Sequence, residues 1–174
     1  MFKILSTASA LPKCRKTNDD LSTFLDTSDE WIRQRTGIGE RHISGGEDLS
    51  YYTSKAAKQI IERAGIAPAD IELIVVATVT ADYCTPSAAC MVQKEIGAVN
   101  AVAFDVTAAC SGFLYGVSVA DKFIRCGIYK NALVIGGEIL SKIVDWKDRS
   151  TCVLFGDGAA GVLLERSESA GGIL

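Results

Sequence analysis

The sequence has 174 residues, 48% of them hydrophobic and 22% charged, with only 3 Pro. That length is near one domain, and the composition excludes disordered and fibrous chains. The 18 basic and 21 acidic residues give a net charge of −3; the basic residues are scattered, so no nucleic-acid footprint is visible. Apolar runs fall far short of the roughly 20 residues that span a bilayer, and Met1-Phe2-Lys3-Ile4 opens no secretory h-region.

Residues 3–11 alternate weakly and read as a first strand. Thr17 and Thr27 each begin a short helix, Thr27-Ser28-Asp29-Glu30 fitting a capping box and Gly37 ending the second one. From Ser50 a longer helix carries Ala56, Ala57, Ile60, Ile61 and Ala64 on one stripe and stops before Gly65. Residues 71–79, rich in β-branched side chains and apolar on both faces, read as a buried parallel strand. Thr85-Pro86 supplies an N-cap and an N1 proline for a helix ending at Gly97. A strand over 101–106, a helix over 111–125 and a strand over 132–135 continue an α/β alternation whose sheet has both faces covered.

Residues 151–155 and 159–164 flank Asp157-Gly158, a dipeptide suited to a type I′ turn, and are expected to form an antiparallel hairpin. Gly156, Gly158 and Gly161 also spell G-x-G-x-x-G. The dinucleotide fingerprint needs a following helix and an acidic residue about 20 positions on. Only 13 residues remain after Gly161, so the hairpin is preferred.

The six cysteines (14, 84, 90, 110, 126 and 152) contain no C-x-x-C pair and are joined by one histidine, His42. No zinc site is implied, and free thiols in a reducing cytoplasm are the expected state. Thr107-Ala108-Ala109-Cys110-Ser111-Gly112-Phe113 places Cys110 where a buried strand turns into a helix. The helix macrodipole and free amides there favour a thiolate by about 0.3 to 1 kcal/mol. The bend parallels the strained elbow that exposes a nucleophilic serine. Cys110 is therefore a candidate acyl-accepting nucleophile, with a small core residue as the alternative. The other five thiols read as structural or incidental.

Five strings carry a family resemblance along essentially the whole sequence. They are Thr27-Ser28-Asp29-Glu30-Trp31, Arg35-Thr36-Gly37-Ile38, Pro86-Ser87-Ala88-Ala89-Cys90, the Thr107–Phe113 segment, and Phe155-Gly156-Asp157-Gly158-Ala159. They occur in the order found in beta-ketoacyl-acyl-carrier-protein synthase III, which the sequence resembles. Thiolase-superfamily relatives share the cysteine elbow, and the segment around Trp31 looks most like the synthase III branch. The resemblance implies an α/β thiolase-like half, a βαβαβαββ mixed sheet with helices on both faces. Residues 1–174 would be its N-terminal domain, with the C-terminal half absent; residues 171–174 resemble the link into a second repeat.

The implied reaction initiates fatty-acid synthesis. An acyl group passes from coenzyme A to Cys110, and malonyl-acyl-carrier protein then decarboxylates and attacks the thioester. In the family a histidine and an asparagine from the C-terminal half assist, and His42 does not match that histidine. Loss of even one oxyanion donor costs about 10² to 10³ in rate, so the isolated chain is expected to be inactive or severely impaired in condensation. Trp31, Arg35 and Arg149 match positions at the mouth of the coenzyme A channel, where an indole stacks on adenine and arginine pairs with phosphate. Without the resemblance, Trp31 reads as a packing residue. Thr27 is a weaker candidate because capping already explains it.

Residues 82–86 resemble a loop that limits the partner's acyl pocket across a dimer interface, with Thr85 where some relatives carry phenylalanine. A smaller side chain there would admit a longer or branched starter; capping explains Thr85 equally well. The implied partners are acyl-coenzyme A, malonyl-acyl-carrier protein and a second copy of the chain, with no metal or redox cofactor, nucleic acid or membrane. The competing readings are a noncatalytic dimerisation or assembly half-domain and another thiolase-superfamily condensing enzyme.

Overall fold

The computed structural model describes residues 2–168; residues 171–174, read above as a link, lie outside the described residues. Strand β4 (Leu73–Ala77) is buried at all five positions. Its Leu73 and Val75 enter one core and its Ile74 and Val76 the other, as the two-residue period of a strand dictates. β4 pairs in parallel with β5 (Val102–Val106) on one side and β6 (Asn131–Ile139) on the other. Strand β7 (Asp157–Arg166) runs antiparallel between β6 and β1 (Phe2–Ala10). The order is β1-β7-β6-β4-β5.

Helices clothe both faces of this sheet, because a strand apolar on both sides needs a cover on each. On one face α3 (Leu49–Ala64) contributes Ala56, Ala57, Ile60 and Ile61, and α4 (Ala88–Ile96) contributes Ala89 and Val92. On the other, α5 (Gly112–Arg125) contributes Val117, Ala120 and Ile124. With these three helices, the five strands follow the expected βαβαβαββ order. Helix α5 lies close to the sheet because two glycines a turn apart face it. A Cβ at Gly112 would stand 3.2 Å from that of Ala77, and one at Gly116 would stand 3.0 Å from Val134 Cγ1.

Two short carboxylate bridges fix where α3 and α4 begin. Asp82 accepts the N–H groups of Leu49 and Ser50, each at 2.8 Å, and Asp105 accepts those of Ala88 and Ala89, each at 2.7 Å. These otherwise unpaired amides carry the positive end of the helix dipole, so a carboxylate is a favourable partner.

Four expectations change. The helix expected at Thr27 is α2 (Asp29–Thr36), capped instead by Ser28, whose hydroxyl accepts the Trp31 N–H at 3.1 Å. The cap of α4 is Ser87 rather than Thr85, with the Cys90 N–H reaching its hydroxyl at 3.2 Å. The hairpin around Asp157-Gly158 does not form. Residues Arg149–Cys152 make a short helix, α6, held by Asp148, and β7 pairs with β6 and β1 instead. Two full-length neighbours give β7 more ladder hydrogen bonds than a five-residue hairpin arm would, and Cys152 moves from strand to helix. Finally, β2 (Cys14–Thr17) and β3 (Glu40–Ile43) form a separate antiparallel pair, with α1 (Asn18–Ser22) following β2. Thr17 does open α1, through a capping box with Asp20.

Candidate active site

The backbone between β5 and α5 is strained at one residue. Ala109 has φ of +45°, the sole non-glycine with a positive value among the described residues; for an L-residue that costs about 1–2 kcal/mol. Ala109, Cys110 and Ser111 form a single 3₁₀ turn, and α5 starts immediately after it. Cys110 therefore sits in the turn ahead of the helix, and it is exposed. The Ser111 N–H is spent on Ala108 O at 3.1 Å. In a serine elbow the corresponding amide serves the oxyanion; in this turn that amide is already paired.

Cys110 opens onto a depression of about 570 Å³, walled by Phe113, His42, Glu138 and the start of β7. It lies at the C-terminal ends of the parallel strands, the usual location of ligand sites in α/β sheets. Buried Asp157 fixes one wall: it accepts the Ser44 N–H at 2.7 Å, the Ser141 N–H at 2.9 Å and the Ser141 hydroxyl at 2.6 Å. His42 Nδ1 donates to Pro12 O at 2.6 Å, which places the proton of a neutral ring on Nδ1.

Trp31, Arg35 and Arg149 come together at a second place. The Arg35 guanidinium carbon is 4.3 Å and that of Arg149 4.8 Å from the centre of the Trp31 ring. Arg35 is one helical turn from Trp31, whereas Arg149 arrives on α6 and also donates to Asp26 O. Beneath them lies a small core of Leu21, Ile32, Cys152 and Val153, against which Trp31 packs. Both readings of Trp31 are thus satisfied at once, since the half-buried ring packs on one side and meets cations on the other. Burial pushes the Cys152 thiol up, the nearby Asp148 carboxylate adding to it and Arg41 opposing, so this thiol stays protonated.

These three residues do not line the Cys110 depression, but hydrogen bonds connect the two places. Arg41, buried in the depression's wall, donates to Val153 O at 3.1 Å and to Asn18 Oδ1 at 2.8 Å. Asn18 Nδ2 then donates to Asp29 Oδ1 at 2.8 Å, in the first turn of the helix that carries Trp31. Thr27 has a buried hydroxyl oxygen with no hydrogen-bond partner among the described residues. Because Ser28 holds the cap, capping no longer accounts for Thr27. Thr85 is exposed on the loop between β4 and α4 and does not line the Cys110 depression.

Sequence reasoning passed over Glu138, Arg41 and Asp157. Only Glu138 had an available signal, as the single charge in the apolar run over 132–140.

A mixed sheet covered by helices on both faces, with a cysteine on the bend from a parallel strand into a helix, is a thiolase-like fold. A family model described as 3-oxoacyl-[acyl-carrier-protein (ACP)] synthase III matches residues 104–174. Beta-ketoacyl-[acyl-carrier-protein] synthase III of Clostridium tetani is 53% identical over 169 residues, 97% of this chain and 51% of that protein. The Streptococcus mutans protein of the same name is 56% identical over 167 residues, 96% of this chain and 51% of its own. The crystal structure of the Aquifex aeolicus 3-oxoacyl-[acyl-carrier-protein] synthase III superposes with a TM-score of 0.95 at 51% identity, covering 97% of this chain and 55% of that one. Along 96–97% of its length the chain is thus similar to proteins of the 3-oxoacyl (beta-ketoacyl) acyl-carrier-protein synthase III family. It spans about half the length of the curated relatives it matches.

Proposed function

We propose that this chain carries the acyl-accepting half of a synthase III condensing enzyme, with Cys110 as nucleophile. The observation that carries the reading is the strained Ala109 turn, which presents an exposed thiol in a depression at the ends of the parallel strands. In the proposed step the Cys110 sulfur, as thiolate, attacks the acyl-coenzyme A carbonyl. The new carbon–sulfur bond forms, the bond to the coenzyme A sulfur breaks, and that thiolate leaves and takes up a proton.

Trp31, Arg35 and Arg149 are the proposed coenzyme A contacts: a flat ring for the base and two guanidiniums for phosphate. Thr27, which follows the Asp26 that Arg149 reaches and whose hydroxyl has no hydrogen-bond partner among the described residues, joins the set. Thr85 is proposed to border the acyl pocket of a partner copy in a homodimer. Condensation with malonyl-acyl-carrier protein is proposed to draw on residues beyond the half of the family's length matched here. His42, with Nδ1 committed to Pro12, is not assigned to it. The exposed thiols of Cys14, Cys84, Cys110 and Cys126 suit a reducing compartment, which supports a cytoplasmic location. No helix among the described residues is long and apolar enough to cross a membrane.

The test is intact mass after incubation with acetyl-coenzyme A and a short acyl-coenzyme A series, beside Cys110→Ser. An adduct on the native chain and none on the variant is the expected result. Folded protein that acquires no adduct favours the second reading, a noncatalytic assembly half-domain.

A further inference from the structure

Glu138, near the end of β6, is half-buried on the rim of the Cys110 depression. Among the described residues, the hydrogen bonds to its carboxylate all come from one three-residue segment just past β4. Thr78 Oγ1 donates to Oε2 at 3.1 Å, the Val79 N–H donates to Oε1 at 2.9 Å, and the Thr80 hydroxyl donates to Oε2. The threonine hydroxyls also accept. Thr80 Oγ1 receives the Ile139 N–H at 2.9 Å, and Thr78 Oγ1 receives the Thr80 N–H at 3.0 Å. The segment is thereby locked to the end of β6.

Its other side holds the elbow. The Thr78 N–H donates to Val106 O at 3.1 Å, and Thr107 Oγ1 donates to Thr78 O at 3.2 Å. Thr107 opens the bend that leads to Ala109 and Cys110. A residue at positive φ keeps that conformation only where its surroundings over-determine it. Here the constraint runs from Glu138 through Thr78 to Thr107, two residues before the strained one. With both oxygens occupied by these donors, the carboxylate is committed to holding structure rather than to moving a proton.

We propose that Glu138 is a positioning residue for Cys110, bracing the nucleophile's turn through Thr78 and Thr107. Its consequence for catalysis rests on the reading of Cys110 as acyl acceptor; the brace itself does not. Two measurements on the 174-residue chain separate them. The first is single-turnover acylation of Cys110 across acetyl-coenzyme A concentrations. The second is the iodoacetamide alkylation rate of Cys110 relative to Cys14, resolved by peptide mass, which requires no acyl donor.

Glu138→Gln is expected to lower the limiting acylation rate at least about tenfold, the scale on which small misplacements act. The half-saturating concentration should stay within about twofold, since the coenzyme A contacts lie elsewhere. Thr107→Val is expected to do the same, and the double variant to be no slower than the slower single one, because both act through one chain of contacts. The Cys110 to Cys14 alkylation ratio should change at least about threefold in each variant, an effect that general loss of stability does not produce selectively. Additive effects, or an unchanged ratio with a limiting rate near wild type, would overturn the proposal. If the native chain is never acylated, the catalytic reading fails and the alkylation ratio alone decides the brace. Should Glu138→Gln not fold, Thr107→Val, which removes one hydroxyl, carries the same test.

Discussion

Arg149 stands over the Trp31 indole from a different element, its guanidinium carbon 4.8 Å from the ring centre. Arg35 meets the same ring at 4.3 Å. Exposed cation–π pairs contribute about 0.5–1 kcal/mol each, so Arg35 is weakly held and can turn toward a ligand's phosphates, whereas Arg149 is also tied to Asp26 through the backbone oxygen and the carboxylate, the latter at 3.6 Å. Trp31→Ala should weaken coenzyme A binding by about 5- to 150-fold, corresponding to one lost base stack of roughly 1–3 kcal/mol. Arg35→Ala and Arg149→Ala should each weaken it less and flatten its salt dependence, because exposed charges are screened. Titration calorimetry at two salt concentrations measures both effects. A Trp31→Ala variant that binds like wild type removes the stacking role.

The seat of Arg149 should be sensitive to acid. Asp148 accepts the Ser150 hydroxyl at 2.6 Å, the Thr151 hydroxyl at 2.8 Å and the Ser150 N–H at 2.9 Å. These bonds, the Ser150 hydroxyl's foremost, hold its carboxyl below the ordinary 3.8. Asp20 and Asp29 are lowered in the same way, by Thr17 and by Asn18 with Arg33. For a depressed carboxyl the unfolded state binds more protons, so the stabilisation is complete above the unfolded value and is lost as pH falls through the folded one. The melting temperature should be flat between about pH 5 and 7 and fall below about pH 4. Asp148→Asn should melt lower than wild type at neutral pH, and the gap should close toward about pH 3. A gap that stays constant with pH contradicts this role of the carboxylate.

The pattern of the main sheet was legible because β4, β6 and the helices over them carry long periodic apolar runs. Cys110 was legible because its segment joins a strand to a helix through small residues. The β2–β3 pair was not, since Cys14-Arg15-Lys16-Thr17 and Glu40-Arg41-His42-Ile43 show no apolar alternation and find each other only across α1 and α2. The cap at Thr27 slipped by one residue because Thr27 and Ser28 are both good caps, and only the Trp31 N–H, which donates to Ser28, decides between them. Asp157-Gly158 read as a turn, but the Asp157 carboxylate is buried under Ser44 and Ser141, contacts no local rule encodes.

Helix α5 carries the elbow, so its distance from the sheet should matter to chemistry as well as stability. A Cβ at Gly116 would lie 3.0 Å from Val134 Cγ1 and 3.3 Å from Val75 Cγ1. Both neighbours are stiff β-branched side chains in the sheet, so the space is not easily relieved. Helix propensity favours replacing this glycine by up to about 1 kcal/mol. Overpacking costs about 1–3 kcal/mol, and for the bulk of valine it should win. Gly116→Val should therefore lower the melting temperature by several degrees, at roughly 2–4 °C per kcal/mol for a chain of this size. Its Cys110 adduct should form more slowly at temperatures where the variant is still folded. An unchanged melting temperature means the helix can move off the sheet freely.

Thr85 offers a clean separation of a structural role from a functional one. If it capped α4, its loss would cost about 1 kcal/mol and several degrees of melting temperature. The cap belongs instead to Ser87, with Asp105 holding the Ala88 and Ala89 N–H groups. Thr85→Phe on this exposed loop should accordingly leave stability within about 0.5 kcal/mol of wild type. If the side chain borders an acyl pocket, as proposed, the added ring should shorten the accepted starter. Acetyl transfer to Cys110 should persist, while adducts from longer or branched acyl-coenzyme A fall by about tenfold or more, the effect expected of a filled hydrophobic pocket. Mass spectrometry across the acyl series, with thermal melts on the same samples, reads both quantities. An unaltered chain-length profile in a stable variant means that Thr85 lies outside the acyl pocket.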